Sequence, residues 1–83
     1  MTTAVIYSNG SQECDRISAL LESLPHVKTF HRYEVNQHFE QHQFEMEFGG
    51  DATYPQVSYG NKHIGNMHDT LQFLKREGML ETP

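Results

Sequence analysis

The sequence predicts a small α/β domain with the element order β-α-β-α-β-β-α and a four-stranded mixed sheet flanked by helices. A short apolar run, "AVIY" at residues 4–7, is rich in β-forming residues and is followed by a helical apolar pattern. Near the C-terminus, a tight-turn pair separates two short strand-like runs and precedes a last amphipathic pattern. These observations predict two parallel strands joined by a crossover helix, followed by an antiparallel hairpin and a closing helix.

The first half of the chain predicts a strand, a helix and a second strand. The run at residues 4–7 is a buried strand, and "SNG" interrupts it. Residues 12–24 form a helix that Pro25 ends, because their apolar side chains recur at the spacing of one helical face: Ile17, Leu20, Leu21 and Leu24. Residues 27–35 alternate in a pattern that suits a strand with mixed faces.

The second half predicts a helix, a hairpin and a last helix. Residues 36–48 are rich in Glu and Gln and are interpreted as helix, although Phe44, Met46 and Phe48 also fit a period of two. The runs "PQVSY" and "KHI" flank the pair Gly60–Asn61, which suits a hairpin turn. Asn66 is a good N-cap for the closing helix and Gly78 is its expected C-terminal stop. The buried stripe of this helix is expected to be Met67, Leu71 and Leu74.

Composition excludes several classes of protein. The chain has 83 residues, one cysteine and a formal charge of −5, with no basic run of the kind that follows phosphates, so nucleic acid is not expected as a partner. No apolar run is long enough to span a membrane, and the N-terminus has no secretory pattern. A single cysteine forms no internal disulfide. We therefore expect one monomeric domain, residues 1–83, in the cytoplasm.

Three stretches of the chain resemble the glutaredoxins, small redox proteins with a thioredoxin-like fold. They are "YSNGSQECDRISALLESL", "TYPQVSYGNKHIGN" and "DTLQFLKREGML", and together they cover nearly the whole chain. The second stretch is similar to the family's T-x-P-Q segment with its following glycines. The resemblance implies a thioredoxin-like (glutaredoxin) fold and electron transfer from glutathione to disulfides, including that of ribonucleotide reductase.

The predicted active-site motif departs from the family pattern. Glutaredoxins present C-x-x-C or C-x-x-S, whereas alignment on "DRISALL" places Ser11 at the first position and Cys14 at the second, giving S-x-x-C. A serine at a helix N-terminus caps the helix, but it is a poor nucleophile and forms no disulfide. Cys14 has two readings. It is either buried as a small apolar side chain or, because the preceding loop is one residue short, exposed and able to exchange disulfides with glutathione.

The resemblance also implies a glutathione site. The residue before the T-x-P proline pairs its backbone with the cysteinyl unit of glutathione, which assigns Tyr54 and a cis peptide bond to Pro55. The segment that receives the γ-glutamyl end corresponds to Gly65, Asn66, Met67, His68 and Asp69. The positions that commonly hold cationic anchors for the glycyl carboxylate carry Ser8 or Asn9 and Asp51 or Ala52. Weak glutathione binding is therefore expected.

The six histidines raise the question of a metal site. His38 and His42 are four residues apart and would project from one face if residues 36–48 were helical. No acidic or Cys ligand completes an identifiable set, so a solvated helix face is the expected arrangement and no metal is predicted. His63 and His68 flank the predicted glutathione site.

The leading functional hypothesis is a glutaredoxin-like thiol-disulfide redox protein whose activity is weakened because Ser11 replaces the nucleophilic cysteine. Its only redox thiol is Cys14, and its expected partners are glutathione or protein disulfides. The alternative is a redox-inactive binding module that keeps the thioredoxin fold. The sequence leaves both open, because it does not specify how exposed Cys14 is.

Overall fold

The protein contains a four-stranded mixed sheet and three helices. The computed structural model describes residues 2–79. The strands and helices follow the chain in this order: β1 (Thr2–Ser8), α1 (Gln12–Ser23), β2 (Val27–Glu34), α2 (Gln41–Phe48), β3 (Gln56–Tyr59), β4 (Lys62–Gly65) and α3 (Met67–Arg76). The predicted order β-α-β-α-β-β-α is confirmed. None of the helices in this part of the chain has the length and apolar character that a membrane span requires.

The register of the sheet gathers several loops at one edge. The strand order is β2-β1-β3-β4, with β1 parallel to β2 and the other two neighbouring pairs antiparallel. Tyr7 of β1 pairs with Gln56, so the end of β1 lies level with the start of β3. Val57 pairs with Gly65, which brings the end of β4 to the same edge. The loops after β1, before β3 and after β4 therefore meet where the sequence predicts the site.

The main core lies between one face of the sheet and helices α1 and α3. It contains buried side chains from β1, α1, β3 and α3: Ile6, Cys14, Ile17, Leu21, Leu24, Val57 and Leu74. Fully burying one such Ile or Leu side chain contributes about 1.5–3 kcal/mol. The predicted apolar face of α1 is confirmed, with Leu20 half-buried. In α3, Leu74 is buried, whereas Met67 and Leu71 are half-buried at the margin.

An aromatic cluster occupies the opposite face of the sheet. Successive side chains of a strand point to opposite faces, so Tyr7 lies on the face away from Ile6. The Tyr7 ring is 5.5 Å from that of Phe39 and 5.2 Å from that of Phe48. Phe44 is 2% exposed and lies 5.0 Å, centroid to centroid, from Phe48. Helix α2 is thus attached to the sheet through aromatic rings.

The helix predicted for residues 36–48 is too long at its N-terminal end, and α2 begins only at Gln41. Asn36 has φ 68°, a left-handed conformation that Asn tolerates better than most residues, and this turns the chain out of β2. Its N–H donates to the carbonyl of Phe39 at 2.6 Å. The period-two alternative is not observed either, because Phe44 is buried within a helix while Met46 is 75% exposed. The strand predicted to end at residue 35 ends at Glu34.

The predicted ends of α3 are confirmed. Asn66 is the N-cap, and its side-chain oxygen accepts the N–H of Asp69 at 3.0 Å. Gly78 follows the helix with φ +73°, in the left-handed region typical of a residue that terminates a helix. The predicted hairpin at Gly60–Asn61 joins β3 to β4.

Candidate functional site

Ser11 and Cys14 share the first turn of α1. Ser11 is the N-cap, and its Oγ accepts the N–H of Cys14 at 3.3 Å, as the sequence predicts. The Ser11 hydroxyl also donates to Cys14 Sγ at 3.2 Å. The Cys14 thiol in turn donates to Asn9 Oδ1 at 3.5 Å. The side chains of residues 11 and 14 therefore meet as those of a C-x-x-C pair would.

Cys14 is fully buried, which decides between the two readings left open by the sequence. Its exposed fraction is 0%. It falls on the same helical face as Ile17, Ser18 and Leu21, all of which are buried. The helix begins at Gln12, so Cys14 lies inside the first turn and its side chain turns toward the sheet. The shortened loop does not bring the thiol to the surface.

The loop between β1 and α1 is held by its own polar side chains. Ser8 Oγ accepts the N–H of Gly10 at 2.9 Å, and Asn9 Oδ1 accepts the N–H of Ser11 at 3.2 Å. Gly10 has φ +82°, a conformation that favours glycine. These contacts fix the loop, in which the side chains of Ser11 and Asn9 contact the thiol of Cys14.

Arg32 is a cation near this loop that the sequence prediction did not include. Its guanidinium contacts Asp15 at 2.8 Å and Glu34 at 2.6 Å, and it donates to Ser8 Oγ at 3.2 Å. Burial lowers the pKa of Arg32, but the hydrogen bonds that its guanidinium donates to Asp15 and Glu34 outweigh this effect and leave the pKa raised. Both carboxylates already engage the charge, so Arg32 is not a free anchor for an anionic ligand. The contacts of Arg32 with Ser8 and Asp15 join residues far apart in the chain, so local sequence patterns do not indicate them.

Tyr54 and Pro55 lie against the core that contains Cys14. The peptide bond between them is cis, as the resemblance implies, and Pro55 is buried. The Tyr54 ring packs against the core cluster and stacks on Phe44 with 4.1 Å between centroids. Its hydroxyl donates to Gln41 Oε1 at 2.7 Å. Burial raises the pKa of Tyr54, and the nearby Glu45 and Cys14 raise it further.

The backbone of Tyr54 is available for pairing. Within residues 2–79, neither its N–H nor its C=O forms a hydrogen bond. On the other side of the proline, Gln56 is 6% exposed and donates from Nε2 to the carbonyl of Thr53 at 2.8 Å. This contact closes the turn around Tyr54 and Pro55. An extended peptide alongside this segment would find an unpaired donor and acceptor.

The segment after β4 is built around a contact between Gly65 and Asp69. Asp69 Oδ2 accepts the N–H of Asn66 at 3.4 Å, so this carboxylate caps α3 from within. Gly65 has φ +133°, and a Cβ at this position would lie 2.9 Å from Asp69 Cβ. Met67 packs against the core cluster that includes Cys14. The segment therefore contacts the core that includes Cys14, and the carboxylate of Asp69 is already engaged.

The histidines do not form the arrangement that the sequence suggests. His38 lies in the turn before α2, where its Nδ1 accepts the N–H of Glu34 at 2.9 Å, so the prediction that His38 and His42 share a helix is wrong. His63 Nε2 lies 2.7 Å from Gln56 Oε1, and His68 is exposed. No group of three or more His, Cys, Asp or Glu side chains in residues 2–79 is placed to hold a metal ion.

The predicted site residues thus fall into a central pair and a flanking segment. Ser11 and Cys14 lie at the start of α1, Tyr54 packs against the core cluster that contains Cys14, and residues 65–69 lie at the same edge of the sheet. Beyond Arg32, the sequence prediction missed the aromatic cluster around α2, whose only sequence signal was the phenylalanine content of residues 36–48.

A scan against protein-family models and a search of curated proteins both found no match for this chain.

Proposed function

We propose that this protein is a divergent, glutaredoxin-like thiol-disulfide redox protein in which Cys14 is the redox thiol. One observation carries the proposal: Tyr54, whose backbone N–H and C=O are unpaired within residues 2–79, packs against the core cluster that contains Cys14. The Ser11–Cys14 contact of 3.2 Å adds to it, because this is the place of a C-x-x-C pair. The mixed sheet and its flanking helices are compatible with a thioredoxin-like fold.

The proposed ligand is glutathione or an extended cysteine-containing peptide. Its backbone would pair with the N–H and C=O of Tyr54, and the γ-glutamyl end of glutathione would reach Gly65, Asn66, Met67, His68 and Asp69. The site offers little to the glycyl carboxylate, because Arg32 is engaged by two carboxylates. Protein disulfides, including that of ribonucleotide reductase, are the acceptors that the resemblance implies.

The proposed chemistry is single-thiol exchange. The Cys14 thiolate attacks one sulfur of a disulfide, forms a mixed disulfide and releases the other sulfur as a thiolate. A glutathione thiolate then attacks the partner's sulfur in the mixed disulfide. This releases the Cys14 thiolate and forms a disulfide between glutathione and the partner. The Ser11 hydroxyl, which already donates to Sγ, stabilises the thiolate. Since Cys14 is buried, each exchange requires a local opening of the protein, so turnover is slow.

Glutathione-dependent reduction of a glutathionylated peptide tests this proposal. We expect the natural chain to give low turnover above the uncatalysed rate, and Cys14→Ser to remove it. Ser23→Ala is a matched control, because Ser23 is an exposed serine at the other end of the same helix. Equal rates for the natural chain and Cys14→Ser would contradict a redox role of Cys14.

The burial of Cys14 favours a second candidate function, a redox-inactive binding module. A thiol with 0% exposure reacts only when the protein opens locally. A module of this kind would pair an extended peptide with Tyr54 and use Cys14 only for packing. It predicts peptide binding at Tyr54 by NMR shift mapping with no turnover that depends on Cys14.

A further inference from the structure

A cleft of about 400 Å³ opens between β1 and α2, on the face of the sheet opposite the main core. The rings of Tyr7, Phe39, Phe44 and Phe48 line it. Three of these side chains are half-buried and only Phe44 is fully buried, so ring surface faces the cleft. The cleft adjoins the candidate site, because the Tyr54 ring lies 4.1 Å from Phe44 and 6.3 Å from Phe39, measured between centroids.

The surroundings of the cleft are acidic. Residues 33–61 contain no Lys or Arg, and they carry the carboxylates of Glu34, Glu40, Glu45, Glu47 and Asp51. Glu34 is paired with Arg32, and Glu45 accepts a hydrogen bond from Gln41 at 3.0 Å. Glu47 lines the cleft, is exposed, and forms no hydrogen bond or ion pair within residues 2–79. It therefore supplies an uncompensated negative charge beside the rings.

The electrostatics of Tyr7 place the carboxylate of Glu47 near the aromatic rings. Burial raises the pKa of Tyr7, and the nearby Tyr33 and Glu47 raise it further. His38, which also lines the cleft, accepts the N–H of Glu34 at Nδ1. Residues 33–61 supply no Lys or Arg that would oppose the charge of Glu47.

Aromatic faces and a free carboxylate together attract an organic cation, because the ring quadrupole and the negative charge act in the same direction. We propose that this cleft binds the Lys or Arg side chain of a basic peptide segment, held next to the part of the segment that lies along Tyr54. This inference rests on the proposed function for the path of the peptide, and it names the substrate class: basic protein segments in preference to anionic free glutathione.

A titration of the isotope-labelled natural chain with a thiol-free peptide that alternates Ala and Arg tests the inference by NMR. We expect amide shifts at Phe39, Glu47 and Phe48, and none with the matched peptide that alternates Ala and Glu. Glu47→Gln should weaken binding of the Arg peptide about two- to fivefold. The control Glu22→Gln, an exposed acid on α1, should change it less. Added salt should weaken binding because the charges are exposed.

Phe48→Leu provides a second variant, since it keeps an apolar side chain but removes the ring face. We expect a loss of about two- to fivefold, the size of an exposed cation–π contact. If Phe48→Leu does not fold, Glu47→Gln still tests whether the cleft binds the cation, because this substitution alters only an exposed side chain.

Equal binding of the Arg and Glu peptides, or shifts centred on β4 and α3 instead of the cleft, would overturn the inference. So would equal losses for Glu47→Gln and Glu22→Gln, which would indicate a response to net charge alone. The peptide contains no thiol, so these outcomes are independent of Cys14 chemistry. Cleft binding without turnover contradicts only the redox proposal, whereas turnover without preference for basic peptides contradicts only this inference.

Discussion

Ser11 Oγ lies 3.2 Å from Cys14 Sγ and accepts the N–H of Cys14 at 3.3 Å. One hydroxyl thus caps the helix through the backbone of residue 14 and contacts its side chain. A helix N-terminus stabilises negative charge through unpaired N–H groups and the helix dipole. Serine keeps this geometry but cannot form a disulfide, so the most direct experiments restore or probe the sulfur chemistry at these two positions.

The variant Ser11→Cys should form an internal disulfide with Cys14 on mild oxidation. The two side chains already meet across one helical turn, and a thiol at a helix N-terminus is readily deprotonated. Thiol titration should show both thiols lost after oxidation and regained after reduction. Glutathione-dependent disulfide reduction should rise clearly above that of the natural chain.

Ser23→Cys is the control for this variant, since it places a second thiol at the distant end of α1. It should form no internal disulfide and give no gain in activity. If Ser11→Cys adds nothing to the activity of the natural chain, the alignment across the short loop, which places Ser11 at the first position of the motif, is wrong.

Alkylation of Cys14 should be slow in the folded protein. The thiol has 0% exposure, so reaction proceeds through a local opening of residues 9–11. An opening free energy of ~3 kcal/mol slows the rate about 100-fold relative to the chain in urea. Ser23→Cys in a Cys14→Ser background gives the rate of an exposed thiol. A Cys14 rate equal to that control would show that the loop does not cover the sulfur.

Gly65→Ala should destabilise the protein by about 1–3 kcal/mol. The glycine has φ +133°, and an added Cβ would lie 2.9 Å from Asp69 Cβ. Gly50→Ala is the matched control, because nothing lies within 4 Å of a Cβ there. Urea unfolding monitored by circular dichroism measures both. Equal effects of the two substitutions would show that the contact with Asp69 relaxes without cost.

Glutathione should bind no tighter than the millimolar range, which corresponds to about 4 kcal/mol. The physical reason is that Arg32, the cation beside the loop between β1 and α1, is held by Asp15 and Glu34. Titration calorimetry or NMR shift mapping provides the measurement. Asp51→Lys should tighten binding about two- to fivefold, with Glu22→Lys as the remote control. Micromolar affinity of the natural chain would mean that another residue anchors the carboxylate.

Stability should fall as the pH rises above about 10, the ordinary tyrosine pKa. Burial, as the largest cause, raises the pKa of both Tyr7 and Tyr54 in the folded protein. The unfolded chain then loses these protons first, so the stabilisation is complete below pH 10 and is lost as the pH passes through the raised values. Urea midpoints between pH 8 and 11 measure this loss, and Tyr7→Phe with Tyr54→Phe should reduce its slope. An unchanged slope would assign the loss to other groups.

Local sequence patterns predicted much of the fold. The spacing of Ile17, Leu21 and Leu24 predicted the buried face of α1, because a helix repeats every 3.6 residues whatever it packs against. Asn66 predicted the start of α3, because a cap depends on residues only three apart. The prediction for residues 36–48 was wrong at its start. Its Glu and Gln content favoured helix throughout, whereas the positive φ of Asn36 and the ring contacts of Phe39 shaped residues 36–40.

The sequence by itself determined the order of elements, the serine cap on α1 and the single thiol beside it. The family resemblance added the expectation of a cis bond before Pro55. The tertiary structure alone decided that Cys14 is buried and that Arg32 is occupied by Asp15 and Glu34. It also decided that the rings around α2 form an acidic cleft next to Tyr54. These features join residues far apart in the chain, and they depend on strand register and helix packing, which local periodicity does not encode.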